Sequence, residues 1–403
     1  MSLILFGIIF FQLDGFYLFD KNQFPVQFQD AAIILEILFF IVVYTRKTRD
    51  VTQAPQGSKS EKWLFLAPIL LGITSAIMGY VRYRQPFILG LRPQRAWVMS
   101  MLMYFPLSRA IRTGRYSVDR LLKMIDKINI IYFSLLLAQY ILGNQYMFLY
   151  ISANQRYGTI RLYAITSFML ISYAWHLWKV LAQRQLKFVD CFYVASILFT
   201  YFFITKARMG MVALLGATAI VVLKQRFSKR KLFILSVAIV AFCLFMNTDA
   251  GTEIVQLAFG ENVTIAANDT SMIRDVGRTF FITEVTSSIK TLLFGCGYIN
   301  IDWDPTVRAV RYNDNIFVAD NGMFGLVYMY GLLFLFWVVI LYGKYIKDAF
   351  KSKNDFGVCI FIVGILGCFS LYPECYQNCI AFSLSCVIFE ALSYGEEECE
   401  YGI

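Results

Sequence analysis

Apolar stretches close to the roughly 20 residues needed to cross a bilayer recur along almost the whole chain, separated by polar or basic segments. In lipid, such a stretch satisfies its backbone hydrogen bonds only as a helix or in a closed barrel. With 58% hydrophobic and 16% charged residues, the chain also has too little charge for a soluble surface. The pattern predicts a polytopic membrane protein, with spans at 2 to 19, 30 to 45, 63 to 81, 96 to 112, 128 to 144, 162 to 181, 189 to 205, 209 to 224, 232 to 247, 321 to 343, 356 to 373 and 378 to 394.

The predicted fold class is all-α, with about twelve transmembrane helices in a single membrane domain, residues 1–403. The first stretch lacks the basic segment and small-residue cleavage site of a signal peptide, so it is interpreted as a retained helix. Pro106 and Arg109 interrupt the fourth stretch, which makes it the least regular span.

The distribution of basic residues between the spans predicts the orientation of the chain. Segments such as TRKTRDVTQAPQGSKSEK and KQRFSKRK fall on one side, together with most of the lysines. We therefore expect this side, with both the N- and C-termini, to be cytoplasmic. On the opposite, outer side, arginine outnumbers lysine. Charge alone would not select arginine, but its planar fork binds carboxylate or phosphate in a bidentate manner.

The longest loop, residues 248–320, lies on the predicted outer side between the ninth and tenth spans. Loops longer than about 15 residues within a compact protein are usually functional or disordered. This loop contains the apolar run TFFITEVTSSIKTLLFGCGYI, which favours packed structure. We expect short amphipathic helices lying on the membrane surface.

Several functional classes find no support in the sequence. There is no GxxxxGK[ST] motif and no GxGxxG after a strand, which disfavours ATP, dinucleotides and other cofactors. No zinc-ligand spacing is present, and DWD at 302 to 304 is too short a motif to indicate a metal-dependent transferase. Nothing indicates nucleic-acid binding.

The single histidine, His176, favours a structural or interfacial role over catalysis. Cys296, Cys375 and Cys379 lie on the outer side, where an oxidising compartment would allow pairing.

Pairs of cations recur on the outer side. Arg274 and Arg278 are four residues apart, so a helix would place both on one face, where an anion between them would offset their repulsion. The alternative is pairing with nearby aspartates or lipid headgroups. Three other outer pairs have the same character: Arg156 with Arg161, Lys206 with Arg208, and Arg308 with Arg311. A looser set, Arg82, Arg84, Arg92 and Arg95, is interpreted as side chains reaching lipid headgroups.

Carboxylates near these cations are the candidate acid–base groups. Asp320 directly precedes Asn321 and the tenth span, where it could cap the helix or accept a proton from an attacking hydroxyl. Asp14 and Glu36 lie within predicted spans, where an ionisable group indicates function unless a hydrogen bond across helices satisfies it.

In chain order these segments resemble the bacterial O-antigen polymerase and ligase superfamily, the Wzy and WaaL proteins. The resemblance rests on the short turn TKARMGMVALL, the loop segment IRDVGRTFFITEVTSSIKTLLFGCGY and the step VADNGMFGLVYMYGLLFL into a helix. It covers residues 150 to 345 in detail and the rest of the chain only as hydropathy. Where ligases place a histidine, this chain has Asp320, which favours a polymerase over a ligase.

The resemblance implies a glycosyltransferase that uses neither metal nor nucleotide and acts at the outer face of the bacterial inner membrane. The donor would be a glycan on undecaprenyl diphosphate, the acceptor a hydroxyl on a lipid-linked repeat unit, and further partners membrane lipid and a chain-length regulator. Asp320 and Arg278 match the catalytic positions. Arg208 and Arg278 match diphosphate-binding positions, with Arg274 adjacent and Arg156, Arg161, Arg308 and Arg311 as further candidates. A ligase-type transferase and a transporter of lipid-linked saccharide are the alternatives.

Overall fold

The structure is a computed structural model, and most of the residues it describes are helical. It describes residues 1–20, 23–24, 26–45, 62–156, 159–182, 187–206, 265–309, 316–318, 321–351 and 376–400, with isolated positions at 211, 214–216, 218–219, 222 and 357. Of the predicted spans, 232 to 247 lies entirely outside these residues, and only isolated positions of 209 to 224 and of 356 to 373 fall within them.

The first half of the chain forms nine described helices. They are α1 (Ser2–Gln12), α2 (Phe28–Thr45), α3 (Lys62–Tyr83), α4 (Phe87–Leu91), α5 (Arg95–Leu102), α6 (Tyr104–Arg112), α7 (Val118–Leu142), α8 (Ser167–Ala182) and α9 (Phe188–Phe199). The π-helix Thr200–Ile204 continues α9. Strands β1 (Ala153–Arg156) and β2 (Thr159–Leu162) form an antiparallel hairpin before α8, which is a departure from the predicted all-α fold.

The described helices of the second half are α10 (Ile265–Thr286), α11 (Ile289–Phe294), α12 (Asp304–Ala309), α13 (Met323–Lys351) and α14 (Tyr376–Glu400). α10 belongs to the long loop, and with 22 residues it is longer than the short surface helices expected there. It packs on α13, as does α11.

Among the described residues, three helices are long and apolar enough to cross a membrane: α2, α3 and α13. The shorter apolar helices are α1 and the segment Phe188–Ile204. The described part of the chain thus supports a helical membrane protein but not the full count of twelve spans.

The first predicted span is wrong in its extent, since α1 ends at Gln12. A 3-10 turn follows at Asp14–Tyr17, where Asp14, Phe16 and Tyr17 all have positive φ. Because this turn is buried and largely apolar, hydropathy does not separate it from the helix. The fourth predicted span is likewise divided, into α5 and α6.

The segment that follows α11 inserts an irregular backbone between α3 and α13. Cys296 N donates to Tyr328 O at 2.6 Å, and Tyr298 N donates to Ser75 O at 3.3 Å. Ser75 Oγ in turn donates to Met329 O at 2.9 Å. These bonds satisfy backbone groups where α13 is broken by Gly331 (φ 72°).

Glycines permit this insertion. A Cβ on Gly297 would lie 2.2 Å from Gly79 N, and one on Gly331 would lie 2.3 Å from Leu293 O. Both positions also have positive φ, so no other residue fits without displacing backbone. The long loop is thereby fixed to two of the three candidate membrane helices.

The ends of the long helices define two ends of the structure. At the Thr45 end, α2 finishes, α3 begins and α13 reaches Lys351. At the opposite, Tyr83 end, α3 finishes and α13 begins. Aromatic packing joins these helices between the two ends, for example through Trp337, whose Nε1 donates to Leu64 O at 2.7 Å.

Candidate functional site at the Tyr83 end

Arg278 lies on α10 facing the beginning of α13. Its guanidinium carbon is 6.0 Å from the centroid of the Phe324 ring, and its Nη1 donates to Asp275 Oδ1 at 3.0 Å. The side chain is 47% exposed, so the ion pair with Asp275 is accessible to solvent. Such a pair contributes little free energy, and an incoming anion can replace Asp275 as the partner of Arg278. Arg278 is therefore available to a phosphate ligand.

The close contact between α10 and the start of α13 depends on Gly277. A Cβ added there would lie 2.8 Å from Asn321 Nδ2. Asn321 is 5% exposed, and its Nδ2 donates to Phe317 O at 2.8 Å. Its Oδ1 is buried without a hydrogen-bond partner among the described residues. Within the described part of the chain, the amide oxygen is thus an acceptor without a donor beside the arginine helix.

Asp320 lies outside the described residues, although its neighbour Asn321 is within them. Arg208 and Arg311 also lie outside. Arg156 ends β1, where only its backbone is described. For these four predicted site residues the structure gives no side-chain position.

Arg161 occupies a second location at this end. Its Nε donates to Thr205 O at 3.0 Å, and its guanidinium lies over the Tyr163 ring at 4.5 Å. The contact joins the β-hairpin to the turn that follows α9. Lys206 in this turn is buried and has a φ of 47°. The structure therefore brings one member of the predicted Arg156–Arg161 pair next to one member of the Lys206–Arg208 pair.

The remaining predicted arginines are solvent-facing. Arg274 is exposed on α10, one turn before Arg278. Arg308 is exposed on α12, and its Nη2 lies 3.8 Å from Asp304 Oδ2 of the same helix. Arg308 thus forms a local surface pair.

Two arginines of the looser outer set form ion pairs, so the headgroup interpretation is wrong for them. Arg82 at the end of α3 pairs with Glu284 of α10. Arg95 Nε donates to Asp30 Oδ1 at 2.9 Å, joining α5 to α2. The first of these pairs fixes α10, the helix that carries Arg278.

Cys296 lies in the inserted segment near the Arg82–Glu284 pair. Burial raises the pKa of its thiol to about 12, the nearby Glu284 carboxylate adds to the rise, and Arg82 opposes it. Cys296 and Cys379, two of the cysteines considered for pairing, are both buried. Cys375 lies outside the described residues.

A second polar centre, toward the Thr45 end, surrounds the single histidine. His176 Nδ1 lies 2.7 Å from Asp190 Oδ1, within hydrogen-bond distance. Its Nε2 lies 3.1 Å from Asp126 Oδ2, without the alignment of a hydrogen bond. Ser172 Oγ donates to Asp126 Oδ1 at 2.6 Å, and Asn129 Nδ2 donates to Ser172 Oγ at 2.8 Å. All five residues are buried and together link α7, α8 and α9.

The sequence favours a structural or interfacial role for His176 but does not identify its partners. Asp126 and Asp190 carry no motif, and they meet the histidine only through packing of α7 and α9 against α8. The imidazole also stacks on the Tyr193 ring, 4.2 Å between centroids. This enclosed position is consistent with a structural role.

Glu36 on α2 forms a hydrogen bond across helices, which is the structural alternative to a functional role for this carboxylate. Gln12 Nε2 donates to Glu36 Oε1 at 3.0 Å and reaches Ser100 Oγ at 3.3 Å. The three residues are buried and join α1, α2 and α5. Asp14, the other carboxylate predicted within a span, lies in the 3-10 turn after α1.

In chemical terms, the Tyr83 end presents guanidinium groups and an amide acceptor on a loop fixed to membrane helices. Such groups bind an anionic oxygen ligand and an adjacent hydroxyl. Among the described residues, no group of three or more His, Cys, Asp or Glu side chains could hold a metal ion. Comparisons with protein families, with curated proteins and with solved structures found no match.

Proposed function

We propose that the protein is a polysaccharide polymerase that transfers a glycan from undecaprenyl diphosphate to a hydroxyl of a lipid-linked repeat unit. The observation that supports this most directly is the position of Arg278 near the Phe324 ring at the start of α13, with the adjacent Gly277 against Asn321. Asp320, the proposed base, precedes Asn321 in the chain. The resemblance of these same segments to the O-antigen polymerases motivates the assignment.

The chemistry explains why arginine is useful at this point. Breaking the bond between sugar and diphosphate develops negative charge on the departing diphosphate. Fixed guanidinium groups directed at that charge stabilise the transition state, and removing one such donor costs about 3 kcal/mol of barrier in other enzymes. In this mechanism Arg278, with Arg274 adjacent, contacts the diphosphate, and Asp320 accepts the proton of the acceptor hydroxyl.

The proposed topology has about twelve transmembrane helices in the bacterial inner membrane, with both termini in the cytoplasm. The Tyr83 end then faces outward and the Thr45 end faces the cytoplasm. This orientation puts Arg278 at the depth of the diphosphate of a lipid carrier in the outer leaflet. It also puts the basic segment between α2 and α3 inside.

One structural feature favours an alternative function, the transport of a lipid-linked saccharide. Broken helices such as α13 line substrate sites in many transporters. Here, however, the break at Gly331 contacts the backbone of Leu293 and Gly295 of the same chain. The break is thus filled by protein, which favours an enzyme with a fixed loop.

The decisive experiment uses purified protein in liposomes with lipid-linked repeat units and no added nucleotide. A polymerase lengthens the glycan, giving a ladder of products on the lipid carrier. A ligase-type transferase moves the glycan to a different acceptor lipid, and a transporter moves the lipid-linked saccharide across the bilayer without lengthening it. Absence of elongation with the cell's own repeat unit would overturn the proposal.

A further inference from the structure

A cleft of about 470 Å³ lies at the Thr45 end, formed by the first turns of α7 and the start of α1. Its lining includes Ser2, Tyr116, Arg120, Lys123 and Lys127. It lies at the opposite end from the candidate site with Arg278, so the proposed polymerase chemistry does not account for it.

The position of the cleft relative to the membrane follows from its neighbours. Arg115, next to Tyr116 in the chain, donates from Nη1 to Val43 O at 2.7 Å, near the end of α2. Because α2 is one of the candidate membrane helices, its last turn marks a boundary between lipid and water. The cleft therefore opens at the depth of lipid headgroups.

Three cations share the face of α7 that lines the cleft. Arg120, Lys123 and Lys127 are spaced by three and four residues, which places them on one side of a helix. The positive charge of Lys123 is balanced by Asp119, whose Oδ2 lies 2.7 Å from Lys123 Nζ. Arg120 and Lys127 are exposed and form no ion pair within the described part of the chain. The cleft thus carries a net positive charge.

We propose that this cleft binds the phosphate headgroup of an anionic phospholipid in the leaflet at the Thr45 end. A guanidinium and a lysine ammonium provide charged donors to phosphate oxygens, and Ser2 and Tyr116 also line the cleft. Basic pockets beside membrane helices recognise anionic headgroups in this way. A lipid fits the location better than a soluble phosphate compound, because the site lies at the membrane boundary.

The proposal differs from general attraction of basic loops to the membrane, and a control variant separates the two. Lys347 and Lys351 are also exposed cations at the Thr45 end, on the last turns of α13 and outside the cleft. Replacing them removes the same charge from the same face of the protein. Only the cleft variant should lose a specific lipid.

The experiment is native mass spectrometry of the detergent-purified full chain titrated with phosphatidylglycerol or phosphatidylcholine. Wild-type protein should bind phosphatidylglycerol preferentially, and R120Q/K127Q should bind it on the order of 30-fold more weakly. K347Q/K351Q should bind as the wild type does, and melting temperatures report whether each variant is folded.

Three results would overturn the proposal. One is equal binding by R120Q/K127Q and the wild type, and another is an equal loss in K347Q/K351Q. The third is displacement of the lipid by inorganic phosphate at comparable concentration, which would make this a site for a soluble anion. The test uses no glycan substrate, so it succeeds or fails independently of the proposed polymerase activity.

Discussion

His176 Nδ1 lies 2.7 Å from Asp190 Oδ1, and this contact joins α8 to α9 in the interior of the protein. On the other side of the ring, Asp126 of α7 approaches Nε2. The only histidine of the chain is therefore enclosed by carboxylates from the two neighbouring helices. The imidazole lies between the carboxylates of Asp126 and Asp190 and keeps them apart.

We predict that H176A destabilises the fold by about 3 kcal/mol or more, because it removes the imidazole between two buried carboxylates. Among the described residues, the carboxylate of Asp126 then keeps only the Ser172 hydroxyl, and that of Asp190 only Lys179 Nζ at 3.9 Å. Denaturant titration in detergent micelles measures the free energy of unfolding. The matched control is K123A, which removes the exposed ion pair between Lys123 and Asp119 and should cost under about 1 kcal/mol. Equal stability of the two variants would contradict a structural role for His176.

The three candidate membrane helices were predictable from the sequence because lipid selects continuous apolar residues. For α2, α3 and α13 the predicted spans agree with the helices to within about two residues at each end, apart from the extension of α13 to Lys351. The end of α1 was not predictable, since Phe16 and Tyr17 continue the apolar pattern while the backbone turns. Hydropathy indicates which residues are buried. It does not separate a buried turn from a buried helix, because both can have the same apolar composition.

The candidate site was predictable in part. The spacing of Arg274 and Arg278 predicted a shared face if their segment is helical, and both residues lie on α10. The sequence did not predict that Arg278 faces the start of α13. This arrangement depends on Gly277 and on the inserted segment 295–300, whose contacts join residues far apart in the sequence. Arg82 and Glu284 are likewise distant in sequence, so only the fold identifies them as a pair.

Gly297 provides a test of the inserted segment. G297A should destabilise the protein by about 2 kcal/mol or more, because its Cβ would meet the backbone of Gly79 and its φ is positive. G343A is the control, since no atom lies within 4 Å of a Cβ at that position and its φ is not positive. Thermal unfolding of both variants in detergent distinguishes them. A fully stable G297A would mean that the segment does not sit between α3 and α13.

The environment of Cys296 predicts slow thiol chemistry. Its pKa of about 12 leaves very little thiolate at neutral pH, and burial restricts access. Maleimide labelling at pH 7, quantified at each cysteine by mass spectrometry, should be at least about tenfold slower at Cys296 than at the half-buried Cys191. Labelling of Cys296 should accelerate as pH rises above 7, within the range in which maleimide is stable, because the thiolate fraction grows. Equal rates at the two cysteines in folded protein would contradict the buried position.

The proposed role of Asp320 predicts that D320N loses elongation activity by on the order of 100-fold, the contribution typical of a general base. The control is D304N, which changes an exposed aspartate of the same loop. Elongation of lipid-linked repeat units measures both, and a melting curve establishes folding. Wild-type activity in D320N would reduce Asp320 to a helix cap, whose loss costs stability rather than rate.

The sharpest test of the site is R278K, which retains a positive charge but removes the planar fork. If Arg278 contacts the departing diphosphate, elongation should fall by on the order of 100-fold, because the bidentate bond to the developing charge is lost. R84K is the matched control: Arg84 is an exposed arginine at the same end of the protein and is not one of the candidate site residues. It should retain near wild-type activity. Equal rates for R278K and the wild type would show that the position requires charge alone, and an equal loss in both variants would show that the effect is not specific to the start of α13.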